Sequence, residues 1–147
     1  MSTREGSTSA EASEAGPLRV LHVDDEDCVR RIIARSLGGY GAFEIRGARS
    51  NNEAFAVLKD WRPDLIVTDL CRPGADGVRF IARLRSGAAT RDIPIVVLSG
   101  NASAFDAALR GLHVEAVLAK PPSTAELFRA VMSAAGSPEA TLQADGA

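Results

Sequence analysis

The sequence predicts an α/β fold, a five-stranded parallel sheet with helices on both faces in a three-layer sandwich. Three observations carry that prediction. Short β-branched apolar runs alternate with segments of helical period, the runs have strand length, and each helical segment is long enough for the crossover that parallel strands require. In open sheets of this kind ligands sit outside the carboxyl ends of the strands. The residues that close each apolar run are therefore the ones to inspect.

The elements follow in chain order. Arg19–Val23 is the first strand. Val29, Ile32, Ile33 and Leu37 then fall at helical spacing, and Gly38-Gly39 ends that helix. Phe43–Arg46 is a second, weaker strand. Ser50-Asn51-Asn52-Glu53 has the spacing of a capping box and opens a helix with Ala54, Val57, Leu58 and Trp61 on one face. Leu65–Asp69 is the third strand, and Phe80, Ile81 and Leu84 form the apolar stripe of the third helix. Ile95–Leu98 is the fourth strand, followed by a helical stripe of Phe105, Ala108, Leu109 and Leu112. Glu115–Leu118 is the fifth strand. Ser123-Thr124-Ala125-Glu126, a second capping box, opens a fifth helix with Leu127, Val131 and Met132 inward. The β-branched strands read as buried on both faces.

The ends differ from this pattern. Residues 1–16 carry no Val, Ile, Leu or aromatic side chain, so little apolar burial offsets the entropy of ordering them. Residues 1–17 and 136–147 are therefore expected to be disordered tails around one domain at 18–135. A net charge of −2 and a pI near 5.7 argue against a broad basic face for nucleic acid, though not against a small local one, and no direct nucleic-acid partner is expected. Cys28 and Cys71 have no metal or redox spacing, no apolar run approaches the ~20 residues of a membrane span, and the N-terminus lacks a signal peptide's apolar core. The expectation is a soluble, cytoplasmic, single-domain protein with no room for an effector domain.

The carboxyl ends of the strands supply a short set of polar residues. Strand 1 ends in Asp24-Asp25, strand 3 in Asp69, strand 4 in Ser99 and strand 5 in Lys120-Pro121. Three carboxylates converging on one edge repel one another, and a divalent cation relieves that repulsion. An all-oxygen set with few protein ligands suggests Mg²⁺. An Asp carboxylate in such a site can attack phosphorus to form an acyl phosphate, while a lysine and a small hydroxyl stabilise the transferred charge. Each feature has a plainer meaning alone: an acid pair caps a helix, an Asp or Ser ends a strand, a Lys-Pro lies in a solvated loop. Their joint occurrence at four strand ends favours the chemical meaning.

These motifs, VLHVDDED, LIVTDLCRPGADG, PIVVLSGN and VLAKPP, make the chain resemble the receiver domain of two-component response regulators. The likeness spans about Leu18 to Ala135. It implies a flavodoxin-like sheet in the order 2-1-3-4-5. It further implies Mg²⁺ on Asp24, Asp25, Asp69 and the Cys71 backbone carbonyl, with Asp69 as phosphoacceptor and Ser99 and Lys120 on the phosphoryl oxygens. It places Gly77 in a loop over the site and makes the Lys120-Pro121 bond cis. The implied partners are a sensor histidine kinase or a histidine phosphotransfer protein, and a downstream protein target, with the chain a monomer or weak dimer.

Several residues depart from the family pattern. Val117 stands where Tyr or Phe is usual, which leaves two readings open: output through another face or through backbone shifts of the strand 4–helix 4 loop, or a Val that fills the pocket with the coupling intact but smaller. Arg72 replaces a common Met, Ala75 is smaller than usual, and Cys71 and Asn101 occupy positions that tune dephosphorylation. His22 reads as a core or edge histidine, His113 as part of a surface turn, and Arg79, Arg83, Arg85 and Arg91 as a solvated face. The alternative function is a pseudo-receiver, an interaction module that works without phosphorylation; its signature would be loss of the acid pair, Asp69 or Lys120, and all are present. An Asp-x-Asp phosphotransferase loop is a poor match, because Asp69-Leu70-Cys71 lacks the second acid.

Overall fold

A computed structural model describes residues 16–39, 42–70, 76–100, 109 and 111–136. Among these, five parallel strands form one sheet in the order β2-β1-β3-β4-β5. The strands are β1 (Leu18–Val23), β2 (Phe43–Ala48), β3 (Leu65–Asp69), β4 (Ile95–Ser99) and β5 (Ala116–Ala119). Four helices are described: α1 (Asp27–Gly38), α2 (Asn51–Asp60), α3 (Asp76–Ser86) and α4 (Thr124–Ala134). The helix expected around Phe105 and Ala108 lies outside the described residues apart from Leu109, which is helical and buried. The two expected tails fall almost wholly outside them too.

Alternate residues of each central strand feed two cores. Leu21, Val23, Ile66 and Val97 pack with Ala54, Phe80, Ile81 and Leu84 of α2 and α3. Val20, Leu65, Val67, Val96 and Leu98 pack with Ile33, Leu37, Leu127 and Val131 of α1 and α4. The sheet is thus sandwiched between two helix pairs, and period-2 alternation delivers side chains to both.

Burial on both faces holds for β3 and β4, whose residues are all buried, and for the last four of β1. It fails at the edges. β5 alternates between half-buried and exposed residues, and β2 is half-buried to exposed until Ala48, because an edge strand has a neighbour on one side only. Ile32, expected on the buried stripe of α1, is 59 % exposed: four residues at i, i+3, i+4 and i+8 subtend more than the width that α1 turns to the sheet.

The capping boxes also diverge. At Ser123 both bonds form, Ser123 Oγ accepting from the Glu126 amide at 3.0 Å and Glu126 Oε1 from the Ser123 amide at 2.9 Å. At Ser50 the hydroxyl accepts from the Glu53 amide at 3.1 Å, but Glu53 Oε1 takes the Arg49 amide instead, at 2.8 Å. Arg85 is not part of a solvated face. It donates to the carbonyls of Leu112, Arg91, Ile93 and His113, tying the end of α3 to the starts of β4 and β5. His113 does lie in an exposed turn, with φ of 57°.

Candidate functional site

Asp24 follows β1 directly, and its backbone is held before its side chain acts. Its amide donates to Ala48 O at 2.9 Å, which locks the end of β1 to the end of β2. Its Oδ1 accepts from the Glu26 amide at 2.9 Å, a turn that starts α1. Asp69 is the last residue of β3, paired with Leu98, and the Leu70 amide continues the ladder to Leu98 O. Ser99 ends β4 opposite Ala119, and its carbonyl accepts from the Lys120 amide at 3.0 Å. Lys120 therefore enters from the far side of the sheet at the level of the acids. The Lys120-Pro121 bond is cis, as the resemblance implies.

The acids and the lysine meet. Ligand oxygens of Asp24, Asp25 and Asp69 all lie within 4.8 Å of one another. Lys120 Nζ stands 3.0 Å from Asp69 Oδ2 and 3.4 Å from Asp24 Oδ2. Asp24, Asp69 and Ser99 are buried, whereas Asp25 is exposed. Burial pushes the Asp24 carboxyl above the usual carboxylate range, more than the Glu26 amide and the Lys120 charge pull it down, and the Asp69 charge adds to the rise. For Lys120 burial works toward a lower value, but the hydrogen bond to Asp69 and the charges of Asp24 and Asp69 together lift it above the usual lysine range. The donor set is all oxygen and carries excess negative charge, which is what a Mg²⁺ ion takes. Asp24, Asp25 and Asp69 fit that ion.

Gly77 is buried, and it sits in the first turn of α3 rather than in a loop. A Cβ there would come within 2.6 Å of Leu70 Cα and 2.8 Å of Asp69 O. Glycine is needed because the helix start lies directly on the backbone that carries the acid. Cys71, Arg72, Ala75 and Asn101 lie outside the described residues. Val117 is 36 % exposed on the edge strand β5.

Three neighbours of the site are not among the site residues that the sequence suggests. Glu26 Oε1 lies 3.9 Å from Lys120 Nζ. His22, two residues before Asp24, is buried with Nε2 3.9 Å from Asp24 Oδ2. Burial, with the charges of Lys120 and Arg30, lowers its pKa to about 4, so the ring is neutral. Arg30 donates to the Asp24 carbonyl and pairs with Asp27.

Comparison with known proteins agrees with this fold. The response regulator receiver domain family matches residues 20–132. Among curated relatives, the phosphate regulon transcriptional regulatory protein PhoB of Pseudomonas aeruginosa is 36 % identical over 86 % of this chain and 58 % of its own length. Response regulator Rre1 of Synechocystis is 32 % identical over 88 % of this chain and 60 % of its own. The chain thus spans somewhat over half the length of these relatives. Among solved structures, a sensor protein from Polaromonas sp. JS666 superposes with a TM-score of 0.75 at 29 % identity, covering 82 % of this chain and 96 % of that one. The phosphorylated cyanobacterial phytochrome response regulator RcpA gives 0.68 at 28 %, covering 80 % and 91 %.

Receiver domains are signalling domains rather than metabolic enzymes. The chain belongs to the response regulator receiver domain family. Receiver domains bind Mg²⁺ at an acidic pocket and interact with histidine kinases and downstream targets. No helix among the described residues is long and apolar enough to cross a membrane.

Proposed function

We propose that this chain accepts a phosphoryl group on Asp69 from a sensor histidine kinase or a histidine phosphotransfer protein. It then signals through a phosphorylation-dependent protein contact or passes the group onward. The observation that carries this reading is the Lys120 ammonium 3.0 Å from Asp69 Oδ2, inside a cluster of three carboxylates. That arrangement sets a cationic group beside Asp69, where a transferred phosphoryl group spreads its negative charge.

In the transfer an Asp69 carboxylate oxygen attacks phosphorus. The new O–P bond forms as the N–P bond of the phosphohistidine breaks, and the departing electron pair returns to the imidazole. Lys120 and the Ser99 hydroxyl hold the phosphoryl oxygens. Asp24, Asp25 and Asp69 would hold Mg²⁺, with the Cys71 carbonyl, which lies outside the described residues, as the further ligand that the family resemblance implies; when bound, the ion would offset the charge of the carboxylates and of the incoming group.

The test is intact-mass measurement after incubation with Mg²⁺ and acetyl phosphate. The parent gains one phosphoryl group and Asp69→Asn gains none. A parent that gains nothing from acetyl phosphate or from a phosphorylated histidine kinase is a pseudo-receiver, and the proposal fails.

A further inference from the structure

Between α1 and the edge strand β2 lies an open cavity of about 500 Å³ lined by His22, Asp27, Arg30, Arg31, Ile45 and Gly47. His22 and Gly47 are direct neighbours in the β1–β2 ladder. A Cβ at Gly47 would meet Arg30 Cδ at 3.0 Å, so the missing side chain opens the route that the arginine stem takes over the sheet. The guanidinium ends on the Asp24 carbonyl, six residues back in the chain, with Asp27 on its other side. His22 lies buried in the same cavity, and neither ring nitrogen has a hydrogen-bond partner among the described residues. The ring makes no hydrogen bond there and so does not compete for the Asp24 carbonyl.

Lys120 and Arg30 grip Asp24 in different ways. Lys120 contacts its carboxylate. Arg30 contacts its peptide, alongside the Ala48 carbonyl that accepts the Asp24 amide. From this we infer that Arg30 is a positioning residue for the acidic cluster: routed over Gly47, it fixes the Asp24 peptide and so sets where the Asp24 and Asp25 carboxylates stand to receive a divalent cation. The inference rests on the proposed Mg²⁺ site.

The sign of the effect separates positioning from charge. Taking a positive charge away from a cation site tightens cation binding by Coulomb's law alone. Loss of a positioning contact weakens it, and partners of this kind are typically worth about 10- to 100-fold in metal affinity. Isothermal titration with MgCl₂ on the whole chain, with thermal unfolding alongside, reads both.

Arg30→Ala is expected to bind Mg²⁺ roughly tenfold more weakly than the parent. Arg30→Lys, which keeps a donor, restores most of the loss. Arg31→Ala, an equal change of charge on the neighbouring residue, binds as the parent or slightly tighter. Gly47→Val keeps every charge but obstructs the stem; it weakens Mg²⁺ in the parent and adds nothing in Arg30→Ala, a coupling that generic destabilisation does not produce. Should Arg30→Ala fail to fold, Arg30→Lys and Gly47→Val carry the test. A parent that binds Mg²⁺ while Arg30→Ala binds equally or more tightly overturns the inference alone. A parent that does not bind Mg²⁺ overturns the proposed site together with it.

Discussion

The central strands have two kinds of interior within a few residues of each other. In their bodies the buried side chains are apolar and interlock with helices on both faces, Leu21, Ile66 and Val97 on one and Val20, Val67 and Val96 on the other. At their carboxyl ends the buried side chains are Asp24, Thr68, Asp69 and Ser99. The body gains free energy from leaving water, while the rim loses solvation for two carboxylates and recovers part of it from Lys120. Burial serves stability in one region and chemistry in the other. Substitutions in the two regions should therefore move stability in opposite directions.

The strongest test is truncation in the body. Phe80 is fully buried and meets Phe55 edge-on at 5.3 Å between ring centroids. Phe80→Ala should lower unfolding free energy by about 3–5 kcal/mol in a denaturant titration, with the m-value unchanged. A loss below about 1 kcal/mol would break the comparison, because the body would then not be a close-packed core.

Gly77 stands at the junction of the two regions. Gly77→Ala forces α3 away from the backbone of Leu70 and Asp69, at a cost of about 1–3 kcal/mol. Because the displaced backbone carries Asp69, the proposed phosphoacceptor, the rate of phosphorylation by acetyl phosphate should fall as well. A variant that is less stable but phosphorylated at the parent rate would show that the rim is insulated from the body.

The smallest effect has the opposite sign. Asp24→Asn removes a buried charge that repels Asp69, while the amide oxygen can still accept from Glu26. In metal-free buffer its unfolding free energy should rise by about 1 kcal/mol, the usual gain when a strained functional site is neutralised. Mg²⁺ binding is lost in the same variant. A drop in stability would mean that the Lys120 pair outweighs the desolvation of the acid.

How much of this was legible in the sequence varies by element. Period-2 and helical patterns are local, so the strands and the stripes around Ala54 and Phe80 could be read directly. The site acids were legible because strand ends in a parallel α/β sheet share an edge. The exposure of Ile32 was not, since helical spacing tells which residues share a face but not how wide the contact is. Arg85 looked like surface charge until the turn before β5 was seen folded against it. Arg30 matched no motif: its role depends on how α1 lies over β2 and on the absence of a side chain at Gly47.

The sequence by itself determined the alternation of strands and helices and the order of the polar residues at the strand ends. Both follow from periodicity and chain sense, which need only neighbours in the chain. The tertiary structure decided which charges touch. Lys120 meets Asp69 across 51 residues and Asp24 across 96, and no local pattern sets those distances. They are set by the strand order and register of one sheet, which bring separate strand ends to the same level, where charges interact strongly only at close range.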